Sequence, residues 1–279
     1  MITRKKNFVV SSFLFVLTLF ALTFIACEKE EVINNNNENI TIATDESNAE
    51  DLFADVVDLT DLYAESFGGS GKTTDECPVI TSTAPEGTYP NTITIDFGTS
   101  CESDGGRIRS GQIIITISDA MSNPGATKTK TFQDYTVNGI LVQGTHTTTN
   151  NGLNDEGQPS HTHTLVGGSL TYPDGAIATR EATQTVTMIE GWDTPDTRWD
   201  NVWAITGNSS GTSKTGVAYS TLITEQLIKR HNCRWIVSGV KELTRNGETA
   251  TLDYGDGECN RFAILTTADG ETHEIRLPR

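Results

Sequence analysis

The sequence predicts an all-β protein: an antiparallel meander sheet, curled into an open barrel or a two-layer sandwich, with one N-terminal amphipathic helix. Two observations predict the sheet. From residue 77 onward the chain consists of short Thr-, Val- and Ile-rich runs separated by Gly, Asn and Asp, which is typical of strands and turns. No stretch after residue 77 has helical periodicity, so crossover helices are lacking and successive strands are expected to pair antiparallel.

Individual strands and turns in this region can be placed from the residue pattern. Ile93, Ile95 and Phe97 alternate with polar residues, which predicts a strand with one buried face. Asn-Gly or Asp-Gly between β-prone runs is the strongest short signal for a hairpin. Such dipeptides occur at residues 138–139, 174–175 and 246–247.

The helix is predicted from apolar residues that recur at three- to four-residue spacing, with acidic residues between them. These apolar residues are Leu52, Phe53, Val56, Val57, Leu59, Leu62, Tyr63 and Phe67. The helix and the Gly/Ser linker after it are assigned to residues 45–76, and the β domain to residues 77–279. Residues 27–44 include four consecutive asparagines and are predicted to form a flexible tether.

Residues 1–26 are predicted to be a lipoprotein signal peptide. Arg4, Lys5 and Lys6 precede an apolar run that ends at Ala26, and this order is that of an export signal. An uncleaved membrane helix is the alternative, because the run is nearly long enough to span a bilayer. The four residues that end at Cys27, Phe-Ile-Ala-Cys, resemble a lipobox. The resemblance implies cleavage before Cys27 and lipid attached to its thiol.

The residues after Cys27 bear on localisation. Residues 28–31, Glu-Lys-Glu-Glu, resemble the signal that brings Bacteroidota lipoproteins to the outer face of the outer membrane. A solvated acidic spacer is the alternative. We therefore predict a lipid-anchored outer-membrane protein that faces the surface rather than the periplasm, with the membrane as its partner through Cys27.

Net charge limits the partners. The chain carries a formal charge of −17, and removal of residues 1–26 takes away three basic and no acidic residues, which leaves −20. Such a field repels phosphate backbones, so nucleic acid is excluded as an expected partner. Cations or basic protein surfaces are favoured.

Four cysteines remain besides Cys27, an even number for an oxidising compartment, and this predicts two disulfides. Cys233 and Cys259 lie almost symmetrically about the predicted turn at 246–247, and Cys77 and Cys101 flank a second predicted hairpin near residues 85–87. Of the three possible connectivities, local pairing is therefore favoured. No Cys-x-x-Cys spacing supports a zinc site.

The loop over residues 191–203 is the candidate ligand-binding segment. Tryptophan faces beside carboxylates can stack on sugar rings and hydrogen-bond them, and paired carboxylates can hydrolyse glycosides. Core packing of Trp192 and Trp203 is the alternative. The candidate residues are Trp192, Asp193, Asp196, Trp199 and Asp200.

Two segments are weaker metal candidates. Asp253, Asp256 and Glu258 lie among glycines and offer oxygen ligands for Ca²⁺, but EF-hand spacing is absent and a tight turn explains the same glycines. His161 and His163 share one side of a strand, without an adjacent third ligand. No catalytic motif is found, so no catalytic residue and no cofactor is predicted.

Several motifs in the β region resemble an uncharacterised family of Bacteroidota outer-membrane or surface lipoproteins. They are the residues 106–111, 131–132, 135–139, 144–145, 203, 233–235 and 253–257. The resemblance implies export, lipidation and an all-β fold, and it brings no activity. The expected function is that of a lipid-anchored envelope lipoprotein with a binding or structural role, its partner a glycan, a cation or a basic protein surface. A glycan-active enzyme that uses the 191–203 loop is the rival hypothesis.

Overall fold

The computed structural model describes residues 26–66, 77–102, 106–194 and 196–278. Residues 1–38 form one unit and residues 39–279 a second, which contains the whole sheet and the helix from Asn39 onward. The predicted signal peptide up to residue 25 and the predicted Gly/Ser linker over 67–76 lie outside the described residues. Within the described part, no helix combines the length and the apolar character needed to cross a membrane.

One helix and fourteen strands make up the described chain. The elements are α1 (Ala26–Ser66), β1 (Val79–Ser82), β2 (Asn91–Asp96), β3 (Cys101–Glu102), β4 (Ile108–Ile117), β5 (Thr127–Val137), β6 (Ile140–Leu153), β7 (Pro159–Thr171), β8 (Ile177–Glu190), β9 (Val202–Thr212), β10 (Ala218–Arg230), β11 (Ile236–Arg245), β12 (Glu248–Asp256), β13 (Phe262–Thr266) and β14 (Thr272–Arg276).

All fourteen strands belong to one antiparallel sheet that does not close. The order is β1-β2-β4-β5 and then every strand in sequence to β14, with β3 paired to β4 beside this path. The predicted antiparallel meander is confirmed. All strands belong to one sheet because the short connections let each strand pair with the next one.

The predicted hairpin turns occupy the expected positions. Asn138 and Gly139 have φ angles of 51° and 80° and connect the facing residues Val137 and Ile140. Residues 246–247 repeat this pair of left-handed conformations between β11 and β12. Two successive positive φ angles define the turn whose twist matches that of a two-stranded ribbon. The Asn-Gly dipeptides therefore fix the register of their hairpins.

One face of the sheet is apolar where α1 packs on it. Phe53 and Val56 of the helix are buried against residues such as Ile95, Ile113 and Tyr135 of β2, β4 and β5. Burial of a side chain of this size contributes about 1.5–3 kcal/mol. The opposite face carries threonines in cross-strand pairs, of which Thr129 on β5 and Thr147 on β6 is one.

The helix begins earlier than predicted. Residues 27–44 were expected to be a tether, but α1 already starts at Ala26. Ile42 and Ala43 are fully buried in a second apolar cluster with residues such as Leu243 and Leu265. Tertiary packing of these side chains thus outweighs the poor helix propensity of the asparagines before them.

The sheet curls around the helix. The carboxylate of Asp51 is 2.5 Å from Arg107, just before β4, and 3.6 Å from Arg234, just before β11. These two strands are separated by six others in the sheet. Both approach the same helical side chain only because the sheet bends around α1.

An acidic helix face meets a basic sheet face at this interface. The acidic helix face consists of Asp45, Glu46, Glu50, Asp51, Asp55 and Asp61, and the basic sheet face of Arg107, Arg109, Lys128, Arg180, Lys214 and Lys241. The sequence pattern alone does not predict these contacts, because acidic positions of an amphipathic helix usually face water.

Glu46 is fully buried in this interface. Its carboxylate lies 3.1 Å from Arg180 and 3.5 Å from Lys241, and it accepts hydrogen bonds from Ser209 at 2.7 Å and Tyr219 at 2.8 Å. Burial by itself raises the pKa of Glu46, but the two cations outweigh burial and hold that pKa below its ordinary value. Glu46 is therefore ionised in the folded protein at neutral pH.

Both predicted disulfides are present. Cys77 is bonded to Cys101 and Cys233 to Cys259, each pair with its Cα atoms 5.7 Å apart. The second bond joins the β10–β11 connection to the residues that follow β12. It therefore fixes one end of the sheet, at which the candidate ligand-binding loop also lies.

Candidate functional site

The loop between β8 and β9 is held by its own backbone and by two polar side chains. Thr194 donates its hydroxyl to a carboxylate oxygen of Asp200 at 2.7 Å. Gly191 has a φ of 82°, and a Cβ at this position would lie 2.3 Å from Oδ1 of Asn201. Only glycine fits here, because both the backbone conformation and the closeness of the two loop ends exclude a side chain.

A cleft of about 470 Å³ opens beside this loop, where the ends of β8, β9, β10, β11 and β12 meet. We call it the Trp199 cleft. Its lining residues are Ile189, Glu190, Trp199, Asp200, Asn201, Val202, Ile228, Arg230, Asn232, Ser238, Asp256 and Gly257. The lining thus combines an aromatic face with carboxylate, amide and hydroxyl groups.

Trp199 presents its indole to solvent at this cleft. The side chain is 72% exposed. Its ring lies edge-on to that of His231, with centroids 5.5 Å apart, and His231 also lies 6.2 Å from the ring of Trp203. The backbone amide of His231 donates to the carbonyl of Asn201 at 3.0 Å. The indole therefore contacts His231 and otherwise remains largely exposed to solvent.

Arg230 is fixed at the opposite side of the cleft. It faces Val202 across the β9–β10 pair, and its guanidinium donates to the carbonyl of Gly257 at 3.0 Å. Gly257 in turn donates its amide to the carbonyl of Val237 at 2.8 Å. Together with the nearby Cys233–Cys259 bond, these contacts hold the connections around the cleft in place.

The structure brings together only part of the predicted ligand-binding residues. Trp199 and Asp200 line the cleft, whereas Trp192, Asp193 and Asp196 do not. Trp192 is 44% exposed, so its predicted alternative role in the core is wrong.

Sequence reasoning missed several residues of the cleft. Glu190, Arg230, Asn232 and Ser238 come from four different strand ends or connections. Glu190 directly precedes the Trp-rich loop, and this position could have identified it as a candidate site residue from the sequence. The others required the register of β9 to β12, which bulges in β10 and β11 shift away from a regular hairpin count.

The predicted calcium ligands are not assembled into a metal site. Asp253 accepts a hydrogen bond from the amide of Gly255 at 2.8 Å, as in a tight turn, whereas Asp256 lines the Trp199 cleft and Glu258 is exposed. Across the described residues, no group of three or more His, Cys, Asp or Glu side chains is placed to hold a metal ion.

The predicted pair His161 and His163 lies on the face toward the helix. A third histidine, His146 on β6, packs edge-on against His163 with ring centroids 5.4 Å apart. Burial lowers the pKa of His146 to about 2 and that of His163 to about 3, so both imidazoles are neutral. Sequence inspection missed His146 because it comes from the neighbouring strand.

Lys130 lies next to these histidines and is completely buried. Its ammonium donates to Oγ1 of Thr148 at 2.9 Å and lies 3.5 Å from Nδ1 of His146. Burial lowers the pKa of Lys130 to about 7. Lys130 does not line the Trp199 cleft.

Comparison with known proteins gives no relative with which the geometry of this site can be compared. No protein-family model, no curated protein and no solved structure matches the chain.

Proposed function

We propose that the protein is a lipid-anchored envelope lipoprotein and that it binds a carbohydrate in the Trp199 cleft. The observation that carries the proposal is the largely exposed indole of Trp199 in a cleft that is also lined by carboxylate and amide groups. Stacking of an aromatic face on the C–H groups of a sugar ring, with polar side chains around it for the hydroxyls, suits carbohydrate ligands.

The exposure of Trp199 itself supports a binding role. Burial of a large apolar side chain contributes roughly 1.5–3 kcal/mol, and a tryptophan that is 72% exposed forgoes most of it. A ligand that covers the indole recovers part of this free energy on binding. The contact of the ring with His231 restricts its rotamers, which reduces the entropy lost when a ligand binds.

The binding test compares two exposed tryptophans of the same loop. We expect Trp199→Ala to weaken the affinity for a glycan, identified on an array of bacterial-envelope and host polysaccharides, at least about tenfold, as for a central aromatic contact. Trp192→Ala is the matched control and leaves the affinity unchanged, since Trp192 lies outside the cleft. Equal affinities of the two variants, or a silent array, contradict the proposal.

Lipid attachment at Cys27 is supported by the order of basic residues, apolar run and lipobox-like residues at the N-terminus. We expect Cys27→Ser to abolish metabolic labelling by a fatty acid and to leave the protein released or retained as precursor. Cys233→Ala is the control, because its thiol is bonded to Cys259. If Cys27→Ser takes up as much labelled fatty acid as the unchanged protein, the proposed lipid anchor at Cys27 is wrong.

A glycan-active enzyme is the second candidate, and one observation favours it. Glu190, Asp200 and Asp256 line the same cleft, and glycoside hydrolysis uses two carboxylates. The two candidates separate when a bound oligosaccharide is incubated with the protein and its products are measured by mass spectrometry. If the oligosaccharide is cleaved and cleavage disappears in Asp200→Asn, the protein is an enzyme. If the oligosaccharide stays intact, its function is binding.

A further inference from the structure

The charges of the Trp199 cleft define its ligand more closely. Three carboxylates line the cleft, from Glu190, Asp200 and Asp256, against the single guanidinium of Arg230. Arg230 donates to a backbone carbonyl, and none of the three carboxylates forms a salt bridge with any residue of the described chain. Among the described residues that line the cleft, carboxylates therefore outnumber cations by two.

We infer that the carbohydrate bound in this cleft carries protonated amino groups. This inference rests on the proposed function and names the ligand class of the same site. An ammonium group on a sugar ring meets the carboxylates, while the ring that carries it lies on Trp199. A cation close to an indole face gains about 0.5–1 kcal/mol at an exposed site, in addition to the contacts of the ring.

Neutral and acidic sugars fit the same cleft less well. A neutral ligand that covers the carboxylates removes water from them without a counter-charge, which disfavours binding. An acidic ligand also meets like charges in the cleft and the field of a chain with net charge −17. Selectivity for amino sugars thus comes from attraction to the cation and from rejection of the other two classes.

The geometry also explains how the carboxylates are presented. Thr194 donates to Asp200 at 2.7 Å and so orients that carboxylate at the rim of the cleft. Asp256 ends β12 opposite Ser238 of β11, and Glu190 ends β8 opposite Val202. The three groups are therefore placed on strand ends or a tied loop rather than on long free segments, which limits the entropy lost on binding.

The test uses three β-1,4-linked tetrasaccharides of the same length: fully deacetylated glucosamine, N-acetylglucosamine and glucose. Binding to the full-length protein is measured by titration calorimetry at about pH 6, at which an amine of ordinary basicity is protonated. We expect the glucosamine tetramer to bind at least about tenfold more tightly than the other two. The difference narrows when NaCl is raised from about 20 to 300 mM, because salt screens exposed charges.

Charge-neutral variants assign the effect to the cleft. Asp200→Asn and Asp256→Asn each weaken glucosamine binding about two- to fivefold and leave the weak binding of the glucose tetramer unchanged. Asp193→Asn is the control, an exposed aspartate of the same loop outside the cleft. Thermal melts of all variants confirm that they are folded.

The possible failures are distinguishable. Equal or tighter binding of a neutral tetramer, lost in Trp199→Ala, overturns the amino-sugar inference and leaves the proposed carbohydrate site intact. Glucosamine binding that Asp193→Asn weakens as much as Asp200→Asn also overturns the inference, because the attraction is then a property of the whole acidic surface. Absence of binding by all three tetramers overturns the inference, and the proposed function falls with it only if the glycan array is also silent.

Discussion

Glu46 lies between two cations, Arg180 and Lys241, from strands far apart in the chain, and all three side chains are almost fully buried. The side chains of Arg180 and Lys241 are only 4% and 2% exposed. We expect Glu46→Gln to lower the free energy of unfolding by about 3–5 kcal/mol, because it leaves buried cations short of a counter-charge. Urea denaturation at pH 7 measures the change.

Glu248→Gln is the matched control. Glu248 is half exposed and 3.7 Å from Arg245, so its loss is worth less than about 1 kcal/mol. The penalty of Glu46→Gln also depends on pH. Because the folded-state pKa of Glu46 is depressed, its stabilisation is present above the ordinary pKa of a glutamate and is lost as pH falls below about 4.5. Equal effects of the two variants contradict this account.

For Lys130 we expect the opposite effect of substitution on stability. Its folded-state pKa of about 7 lies below the ordinary value of 10.5, so below about pH 7 the folded protein holds a buried ammonium that is better solvated in the unfolded chain. We expect Lys130→Met to raise the free energy of unfolding by about 1–4 kcal/mol at pH 6. The gain shrinks as pH rises toward 10.5, since the unfolded lysine then also loses its proton.

Lys128 provides the comparison for this variant, two residues along the same strand. Its ammonium is 2.6 Å from Asp61, so Lys128→Met removes a favourable contact and does not stabilise the protein. Guanidinium denaturation curves between about pH 6 and 10 decide the matter. Loss of stability in Lys130→Met at pH 6 shows that the buried ammonium is compensated by its surroundings.

The two disulfides allow stability and binding to be separated at the scale of structural elements. They span 24 and 26 residues, so replacement of either pair by alanines is expected to cost about 3 kcal/mol. At roughly 2–4 °C for each kcal/mol, both variants melt visibly earlier. Only loss of Cys233–Cys259 is expected to weaken ligand binding, because that bond lies beside the Trp199 cleft. Equal binding by the two variants contradicts this placement.

The sheet was largely predictable because its signals are local. An Asn-Gly dipeptide needs only its two flanking strands to form a hairpin, and the alternation at Ile93 and Ile95 needs only one buried face. The early start of α1 was not predictable, since Ile42 and Ala43 are buried by strands more than 170 residues later. Helix propensity reflects only the residue and its neighbours in sequence, so it does not predict such long-range contacts.

The candidate site was predictable only in part, for the same reason. Trp199 and Asp200 belong to one loop and were found together. Asp256 was noted for its glycine-rich turn, and the strand register places it beside the loop instead of in a metal site. The pairing of Glu46 with Arg180 joins residues 134 positions apart, and no spacing rule connects an acidic helix with a particular strand.

At the scale of the whole molecule, residues 28–31 are proposed to direct the protein to the cell surface. We expect replacement of residues 28–31 by alanines to leave the protein lipidated but facing the periplasm, if these residues direct it to the surface. Protease treatment of intact cells measures the exposed fraction. Replacement of two exposed acidic residues elsewhere, Asp155 and Glu156, by alanines is the control for the change in net charge. Unchanged protease access in the 28–31 variant shows that these residues are only a spacer.

The position of the helix at the beginning of the chain has a consequence for the order of synthesis. Lys241 follows Glu46 by 195 residues, so the helix is made roughly 10–40 s before this partner at ordinary elongation rates. The interface is completed only when β11 arrives, and a chain that stops before Lys241 leaves Glu46 without one of its two cations.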